Sequence, residues 1–391
     1  MMTRDTFLPI ALMGLLTLST VATADEVVLE TDTQYESIRV VKLLGGLEYP
    51  WGLAFLPDGR KLLSEKPNGL FLIDNGEKIA IDGMPDLNVY AEGAYTEGGV
   101  LDVAVHPDYD DNGWIYFSRS RLADGEDKDT VPVLIRARLD GTSLVDVEEI
   151  FVSNAPNYPG RHYGGRITFL DDGTLLMSVG DRGSYPPRAQ KTWDHSGSIV
   201  RLHDDGSVPE DNPFIGRDRT EPELFSIGHR NIQGLVQIPD TGEIWSTEHG
   251  PRGGDELNLI EPGKNYGWPI ATRGRAYLSE GEFPDSETRH HEDMVDPRLE
   301  FMGTMAPSGL AVVTGDTFPN WEGNLLAGAL AGQRIWRLVI EDQEVVHSEE
   351  LLLHAIGRIR LIQQGPDGNI YVLTDHEDGG LYRMEPHDSG N

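Results

Sequence analysis

Residues 55–65 read FLPDGRKLLSE, in which an apolar stretch is followed by a Pro-Asp-Gly turn and a strand-forming run. A turn of this kind between two apolar runs is typical of a β-hairpin. The same arrangement returns five more times along the chain. The later copies are VHPDYDDNGWIYFS (105–118), FLDDGTLLMSVGD (169–181), QIPDTGEIWSTE (237–248), FPNWEGNLLAGAL (318–330) and QGPDGNIYVLTD (364–375).

Many copies are followed by a further run with an alternating pattern, which adds a strand to the hairpin. These runs are GLFLID (69–74), VLIRARLD (133–140), SIVRLHDDG (198–206), RIWRLVIED (334–342) and GLYRMEP (380–386). Six copies give roughly 61 residues each, more than the roughly 40 to 50 of compact propeller repeats, so some blades must carry long loops. We therefore predict an all-β, six-bladed β-propeller that forms a single domain over residues 25–391. A β-sandwich or a pair of barrels with similar turns is the alternative.

The composition excludes several classes of function. The 391 residues contain 65 acidic and 32 basic side chains, which gives a formal net charge of -33 and argues against a nucleic-acid partner. The chain has no cysteine, so disulfides, thiolate metal sites and thiol catalysis are excluded. A hydrophobic fraction of 38% is enough to build a core, so wholesale disorder is not expected.

The N-terminus reads as an export signal. Phe7 to Val21 is mostly apolar, and Ala22-Thr23-Ala24 supplies small residues before Asp25. We predict a signal peptide over residues 1–24, whose removal leaves a periplasmic or secreted protein. A buried N-terminal helix or a membrane anchor is the alternative. No later segment offers about 18 consecutive apolar residues, so no membrane span is expected.

Polar, glycine-rich segments carry the chemistry. They are YPWGLAF (49–55), RHYGGR (161–166), GDRG (180–183), GHRNIQG (228–234), EHGPRGGDELN (248–258), NYGWP (265–269) and GRIR (357–360). Together they resemble the soluble quinoprotein glucose/sorbosone dehydrogenase family, and most closely its bacterial periplasmic branch, the aldose sugar dehydrogenases that use pyrroloquinoline quinone (PQQ). The resemblance runs from about Val40 to Met384, and the family fold is a six-bladed propeller.

The resemblance implies a reaction and its catalytic groups. An aldose is oxidised at C1 to an aldonolactone, with hydride transfer to PQQ. His162 matches the general base that removes the proton of the anomeric hydroxyl, a task suited to a neutral imidazole. Asp181 matches the carboxylate beside that histidine, and Arg230 is the third catalytic residue that we predict.

The resemblance also implies the cofactor residues. PQQ is a tricarboxylate, and guanidinium groups bind carboxylates bidentately. The predicted PQQ-binding residues are Glu97, His162, Arg230, Asn231, Thr304, Arg358 and Arg360. Arg358 and Arg360 lie two apart, so on a strand they share one face. Gly250 and Pro251 match carbonyl ligands of a calcium ion that touches PQQ, and Glu256 and Tyr266 match ligands of a second, structural calcium.

Three departures from the family pattern leave other functions open. Glu97 replaces a glutamine near the quinone, and Ala331 replaces a lysine that faces PQQ in the soluble glucose enzyme. The usual tryptophan-containing run reads EFMGT (300–304), so an aromatic wall must come from Phe301 or be absent. A non-catalytic propeller that binds a carbohydrate or protein partner is the main alternative, and a calcium-dependent lactonase is a minor one. The sequence names no electron acceptor and leaves both a monomer and a homodimer open.

Overall fold

The computed structural model describes residues 26–86, 97–239, 241–278 and 281–387, and the predicted signal peptide lies outside them. These residues form six antiparallel sheets in a six-bladed β-propeller, as the repeats predict. The first two strands are β1 (Glu26–Asp32) and β2 (Ser37–Leu47). Two short helices, an α-helix at Tyr109–Asn112 and a 3-10 helix at Pro186–Gln190, interrupt the strands, and neither is long enough to cross a membrane.

Blades 1 to 3 are each built from four consecutive strands. Blade 1 contains β3 (Pro50–Phe55), β4 (Lys61–Glu65), β5 (Gly69–Asp74) and β6 (Glu77–Ala80). Blade 2 contains β7 (Val100–Val105), β8 (Trp114–Leu122), β9 (Thr130–Asp140) and β10 (Ser143–Val152). Blade 3 contains β11 (Ile167–Phe169), β12 (Leu175–Val179), β13 (Ser198–Leu202) and β14 (Leu224–Ile227).

Blades 4 and 5 follow the same plan, and blade 6 adds the N-terminal strands. Blade 4 contains β15 (Ile232–Gln237), β16 (Ile244–Glu248), β17 (Glu256–Ile260) and β18 (Leu299–Glu300). Blade 5 contains β19 (Pro307–Val312), β20 (Leu325–Ala329), β21 (Arg334–Glu341) and β22 (Glu344–Leu351). Blade 6 contains β23 (Ile359–Gln364), β24 (Ile370–Thr374) and β25 (Gly379–Pro386), followed by β2 and β1.

Closure of the ring depends on the pairing of β2 with β25. Val40 lies opposite Met384 and Ile38 opposite Pro386, so the two ends of the described chain share one sheet. The repeats did not predict this pairing, because β1 and β2 contain no copy of the repeated turn. Closure leaves no blade without neighbours, so each sheet packs against a blade on either side.

Apolar side chains between neighbouring blades form the core. Leu62 of blade 1 packs with Ile115 and Val133 of blade 2, and all three are fully buried. Phe318 and Trp321, from a repeated turn of blade 5, stack with their ring centroids 5.1 Å apart and join the core shared with blade 6. The innermost strands β3, β7, β11, β15, β19 and β23 line an axial cavity of about 470 Å³.

The topology separates the loops onto two faces. In an antiparallel four-stranded blade, the loop between the first two strands lies at one end and the loop between strands two and three at the other. The repeated turns therefore lie on one face of the propeller. The loops between strands two and three, and those that lead to the next blade, lie on the opposite face. We call this opposite face the site face.

Candidate functional site

Apart from Tyr266, which lies in the long connection between β17 and β18, each predicted site residue lies in, or at the border of, a loop of the site face. Glu97, His162, Arg230, Asn231, Thr304 and Arg358 lie in connections between blades, and Arg360 lies at the start of β23. Asp181, Gly250 and Pro251 lie between the second and third strands of their blades. Residues far apart in sequence therefore meet on the site face, which is how a propeller assembles a site from short loops.

His162 and Asp181 form the centre of the site. His162 Nδ1 lies 2.6 Å from Asp181 Oδ1. His162 has a left-handed backbone with φ of 48°, which is uncommon for a residue with a side chain. Its carbonyl oxygen packs against Gly180, where a Cβ atom would overlap it, so a glycine is required at that position. The glycine and the strained backbone thus bring the imidazole onto the carboxylate.

Asp181 is a buried carboxylate, and both of its oxygens have hydrogen-bond partners. Its Oδ1 also accepts the Gly183 amide at 2.8 Å, and its Oδ2 accepts the Trp268 indole N–H at 2.7 Å. Burial by itself would raise the pKa of Asp181, but His162, Arg230 and Trp268 outweigh it and hold the pKa below its ordinary value. An ionised carboxylate accepts hydrogen bonds only, so the proton of neutral His162 belongs on Nδ1 and its Nε2 carries a lone pair.

Arg230 lies beside that lone pair. Its Nη2 is 3.4 Å from His162 Nε2 and donates to the Tyr277 hydroxyl at 2.9 Å. Its Nη1 donates to the carbonyl oxygens of His249, at 3.0 Å, and Gly250, at 2.7 Å. A guanidinium group at this point keeps a positive charge close to Nε2.

Arg358 and Arg360 bind the same carboxylate, in line with the prediction that they share a face. Arg358 Nη2 and Arg360 Nη2 each lie 3.0 Å from a different oxygen of Asp375. Burial opposes ionisation of Asp375, but Arg360, Lys66 and Arg358 together hold its pKa well below the usual range. The two arginines differ in exposure, since the Arg360 side chain is 8% exposed and that of Arg358 is 43% exposed.

A buried polar layer supports Arg360 from below. Arg360 Nη1 donates to Gln233 Oε1 at 3.0 Å. The fully buried Arg166 donates to the main-chain oxygens of Gln233, at 2.6 Å, and Arg360, at 2.9 Å, and pairs with Asp102. Its guanidinium carbon lies 3.8 Å from the centre of the Trp51 ring. Burial lowers the pKa of Arg166 to about 10, so the guanidinium remains charged at neutral pH.

His249 lies close enough to both Arg230 and Arg360 to interact with their charges. Burial is the main cause that lowers its pKa to about 3, and the charges of Arg230, Arg360 and His162 add to it. The ring is therefore neutral, and its Nε2 lies 2.8 Å from the Pro307 carbonyl oxygen.

The structure gives Glu97 a partner within the protein. Its Oε2 accepts the main-chain N–H of His162 at 2.7 Å, so this carboxylate helps to hold the loop of the predicted base. Asn231 is buried, and its Oδ1 accepts the Gly164 amide at 3.1 Å. Thr304 lies exposed in the connection between β18 and β19.

Of the two alternatives for the aromatic wall, the structure excludes Phe301 as its source. The Phe301 ring is buried in the core cluster that contains Trp245 and Leu325, so it does not face the site. The side chain that follows it, Met302, is the exposed one. The sequence did not show which side chain of this run points inward, because the strand β18 is only two residues long and ends before Phe301.

The loop that contains Gly250 and Pro251 is held from behind by Asp255. Asp255 Oδ1 accepts the Gly250 amide at 2.9 Å, and its Oδ2 accepts the amides of Met305, at 2.6 Å, and Ala306, at 2.9 Å. One carboxylate thus connects the loops of blades 4 and 5. The carbonyl of Gly250 accepts a hydrogen bond from Arg230 Nη1 at 2.7 Å, so a calcium ion bound to this oxygen would lie close to that guanidinium group.

Glu256 lies in an acidic environment. Burial and the neighbouring carboxylates of Glu248 and Glu300 raise its pKa, while Asn258 Nδ2 donates to it at 3.3 Å. The Oδ1 of Asn258 is buried without a hydrogen-bond donor among the described residues. A buried oxygen acceptor that lacks a donor, close to a carboxylate, is chemistry that a hard cation such as calcium satisfies.

The Tyr266 side chain does not take part in that oxygen cluster. Its hydroxyl donates to the Leu259 carbonyl at 2.7 Å and accepts the Glu261 amide at 2.8 Å. Its ring stacks on His229 with centroids 4.6 Å apart. The predicted contribution of Tyr266 to a calcium site must therefore come from its main-chain oxygen.

A cluster that the sequence did not predict lies in blade 3. His195, Glu221 and Glu223 bring one ligand atom each within 4.8 Å of one another. His195 Nδ1 accepts the Asn154 amide at 3.0 Å, so the ring proton belongs on Nε2, which faces Glu223 at 3.7 Å. A proton on Nε2 favours an imidazole–carboxylate pair over metal binding at that atom.

Comparison with known proteins agrees with this geometry. The family model described as Glucose / Sorbosone dehydrogenase matches residues 47–383. Aldose sugar dehydrogenase YliI of Escherichia coli (strain K12) is 35% identical over 342 residues, which cover 87% of this chain and 90% of that protein. The apo-form crystal structure of the soluble aldose sugar dehydrogenase from Escherichia coli superposes with a TM-score of 0.84 at 33% identity, covering 90% of this chain and 100% of that one.

A PQQ-bound structure is also similar. The aldose sugar dehydrogenase from Streptomyces coelicolor in its PQQ-bound form has a TM-score of 0.69 and 26% identity, over 91% of this chain and 100% of that one. Fold and site together define a six-bladed propeller with a histidine–carboxylate pair among clustered arginines. The chain belongs to the Glucose / Sorbosone dehydrogenase family and is an oxidoreductase that acts on sugars, so the resemblance inferred from its motifs is confirmed.

Proposed function

We propose that this protein oxidises aldose sugars at C1 to aldonolactones, using PQQ and calcium, with His162 as the general base. The observation that carries the proposal is the imidazole of His162, which is fixed by a buried carboxylate on one nitrogen and lies beside Arg230 on the other. A sugar is a neutral substrate, so the surrounding positive charge needs a separate explanation, and an anionic cofactor provides one.

The charges of the site fit a tricarboxylate quinone. Arg230, Arg358 and Arg360 lie on one face of a chain whose net charge is -33. Glu97 and Asp375, the carboxylates among them, are already engaged by the His162 amide and by the two arginines of blade 6. These guanidinium groups would bind the carboxylates of the quinone by charge-assisted hydrogen bonds.

The residues of the chain perform the proton chemistry. When bound, PQQ supplies the two-electron acceptor for the hydride that leaves C1 of the sugar. His162 Nε2 accepts the proton of the C1 hydroxyl, and the developing imidazolium is stabilised by Asp181 at 2.6 Å. Trp268 and the Gly183 amide hold Asp181 in place, so the ring keeps its orientation through the reaction.

Calcium would bind to oxygens of blade 4. The carbonyl oxygens of Gly250 and Pro251 would hold one ion at the PQQ side, where it acts as a Lewis acid. Glu256 and the main-chain oxygen of Tyr266 would hold the second ion, with Asn258 Oδ1 as a nearby acceptor that lacks a donor. Asp255 would keep the first set in position through the Gly250 amide.

A reconstitution experiment tests the proposed function. The purified chain is loaded with calcium and PQQ, and dye reduction is measured with glucose and several other aldoses. We expect turnover that requires PQQ, and His162→Ala is expected to lower kcat by about 10²-fold or more while PQQ still binds. Absence of turnover with every aldose, together with an unchanged quinone spectrum, would refute the proposal.

We also propose that the chain is exported and acts as a periplasmic or secreted enzyme. The apolar run from Phe7 to Val21 and the small residues at Ala22-Thr23-Ala24 support this location. The test is N-terminal sequencing of protein recovered from the periplasm or medium of the producing cell. A mature chain that begins at Asp25 is expected, and an intact Met1 in the cytoplasm would contradict the proposal.

A further inference from the structure

Lys66 lies on the site face although no sequence pattern pointed to it. It follows the last residue of β4, in the turn that leads to β5. Its main-chain N–H donates to the Tyr49 carbonyl at 3.2 Å, and its carbonyl accepts the Val100 amide at 3.0 Å. A Cβ atom on Gly99 would overlap the Lys66 carbonyl, so the glycine permits the close approach of these two segments. The position of Lys66 is therefore fixed by blades 1 and 2 together.

The segment that fixes Lys66 is the one that holds the base. Val100 is three residues after Glu97, whose carboxylate accepts the His162 amide at 2.7 Å. Tyr49, on the other side, donates its main-chain N–H to the His376 carbonyl at 2.8 Å, and His376 follows Asp375. Lys66 thus lies between the loop of His162 and the carboxylate that organises the blade 6 arginines.

Among the residues that the structure describes, no carboxylate forms an ion pair with the ammonium group of Lys66. Its Nζ lies 5.1 Å from the centre of the Tyr49 ring, and within the described ranges it forms no hydrogen bond or ion pair. The neighbouring Glu65 shows the contrast, because its carboxylate pairs with Lys78 at 2.7 Å. In a chain with 65 acidic and 32 basic residues, a half-buried lysine without such a pair is conspicuous.

The charged groups that act on Lys66 are those of the proposed PQQ site. They are Arg360, Asp375, Glu97 and Arg358. Asp375 gives one oxygen to each arginine, and its charge acts on Lys66 from beyond ion-pair distance. Burial, and after it the charge of Arg360, lowers the pKa of Lys66, although the charges of Asp375 and Glu97 act in the opposite direction. An anionic ligand would remove that repulsion.

We propose that Lys66 is a further cofactor-binding residue whose ammonium contacts a carboxylate of the bound quinone. The inference rests on the proposed function. It also answers a difference noted in the sequence, where Ala331 occupies the position of a lysine that faces PQQ in the soluble glucose enzyme. Lys66 reaches the same face from blade 1, whereas Ala331 lies between β20 and β21 of blade 5. The positive charge is thus supplied from another blade.

A calorimetric titration of the calcium-loaded protein with PQQ tests this assignment without measuring turnover. Lys66→Met is expected to weaken PQQ binding by roughly 10- to 100-fold, the scale of one partly buried charge-assisted contact. Its affinity should also fall less steeply with salt than that of the wild type, because one charged contact is missing. Lys66→Arg, which keeps the charge, should retain most of the affinity.

The matched control is Lys61→Met. Lys61 begins the same strand at the opposite end and lies over the rings of Phe55 and Tyr371, so the variant makes the same change of charge away from the site face. Its PQQ affinity should equal that of the wild type. Lys66→Gln serves in place of Lys66→Met if thermal unfolding shows that the methionine variant is not folded at the assay temperature.

The outcomes separate the two proposals. If the wild type binds PQQ and the folded Lys66 variants bind it equally well with the same salt dependence, the assignment of Lys66 is wrong while the proposed function stands. If the wild type itself does not bind PQQ, the proposed function fails and the role of Lys66 fails with it. Selective weakening in the neutral Lys66 variants supports both.

Discussion

Replacement of Asp181 by asparagine is expected to remove most of the turnover while leaving the fold intact. The carboxylate accepts three N–H groups, from His162 at 2.6 Å, Trp268 at 2.7 Å and Gly183 at 2.8 Å, and it donates none. An asparagine side chain has one acceptor oxygen and one NH₂ group. Whichever way it turns, its NH₂ group meets an N–H donor or the ring of His162.

The two orientations have different costs. If the NH₂ group faces Trp268, the indole N–H loses its acceptor, which costs about 1 to 3 kcal/mol for a buried donor. If it faces His162, Nδ1 must become the acceptor and the ring proton moves to Nε2, which can then no longer accept a proton from the sugar. In both cases the negative charge that stabilises the imidazolium is lost. We therefore expect kcat to fall by roughly 10²- to 10⁴-fold.

The assay is dye reduction by PQQ- and calcium-loaded protein at saturating aldose, with thermal unfolding and PQQ affinity measured in parallel. PQQ affinity should be retained or slightly increased, because the substitution removes a negative charge from the surroundings of an anion. Asp172→Asn is the control, since Asp172 lies in a repeated turn on the opposite face, where it pairs with Arg201 at 2.7 Å. A folded Asp181→Asn variant with nearly wild-type kcat would refute the role assigned to the pair.

Three further results are expected. The Arg360 side chain is 8% exposed and that of Arg358 is 43% exposed, and exposed charges are screened by solvent. Arg360→Met should therefore weaken PQQ binding in calorimetry by roughly 100-fold, and Arg358→Met by only about 10-fold. The reverse order would contradict this arrangement. Asp375, whose pKa is held low in the folded state, should stabilise the protein above the ordinary aspartate pKa of about 4 and lose that contribution as the pH falls. The Tm difference between the wild type and Asp375→Asn should therefore shrink from pH 7 to pH 3, and a constant difference would count against this pairing. Gly99→Ala should lower the free energy of unfolding by at least about 2 kcal/mol, and clearly more than Gly59→Ala, because only the former Cβ meets the Lys66 carbonyl; equal losses in chemical denaturation would contradict the close packing of these segments.

The blades could be predicted because their signal is local and repeated. The copies beginning at Phe55, Phe169 and Gln364 each start at the last residue of an innermost strand and continue into the second strand of the same blade. Runs such as GLFLID and SIVRLHDDG then supply the third strand. Closure by β2 and β25 could not be predicted in this way. The pairing joins residues near opposite ends of the described chain, and β2 is not preceded or followed by a copy of the repeated turn.

The site was predicted in part. The residues to which the sequence assigned no role were missed for one physical reason. His162, Asp181 and the arginines lie in long motifs that resemble a known family. Trp268 and Asp375 were within quoted runs but had no assigned role, since their importance depends on which atoms they face. Lys66 was missed altogether, because a single lysine after a strand has no pattern, and only the fold places it among the arginines of blade 6.

The central claim is that a strongly acidic chain maintains a cationic site for a tricarboxylate quinone. The most direct measurement is calorimetric titration of the calcium-loaded wild type with PQQ at increasing salt concentrations. The account predicts one PQQ per chain and an affinity that falls steadily as the salt concentration rises. Failure to bind, or an affinity that does not depend on salt, would contradict it.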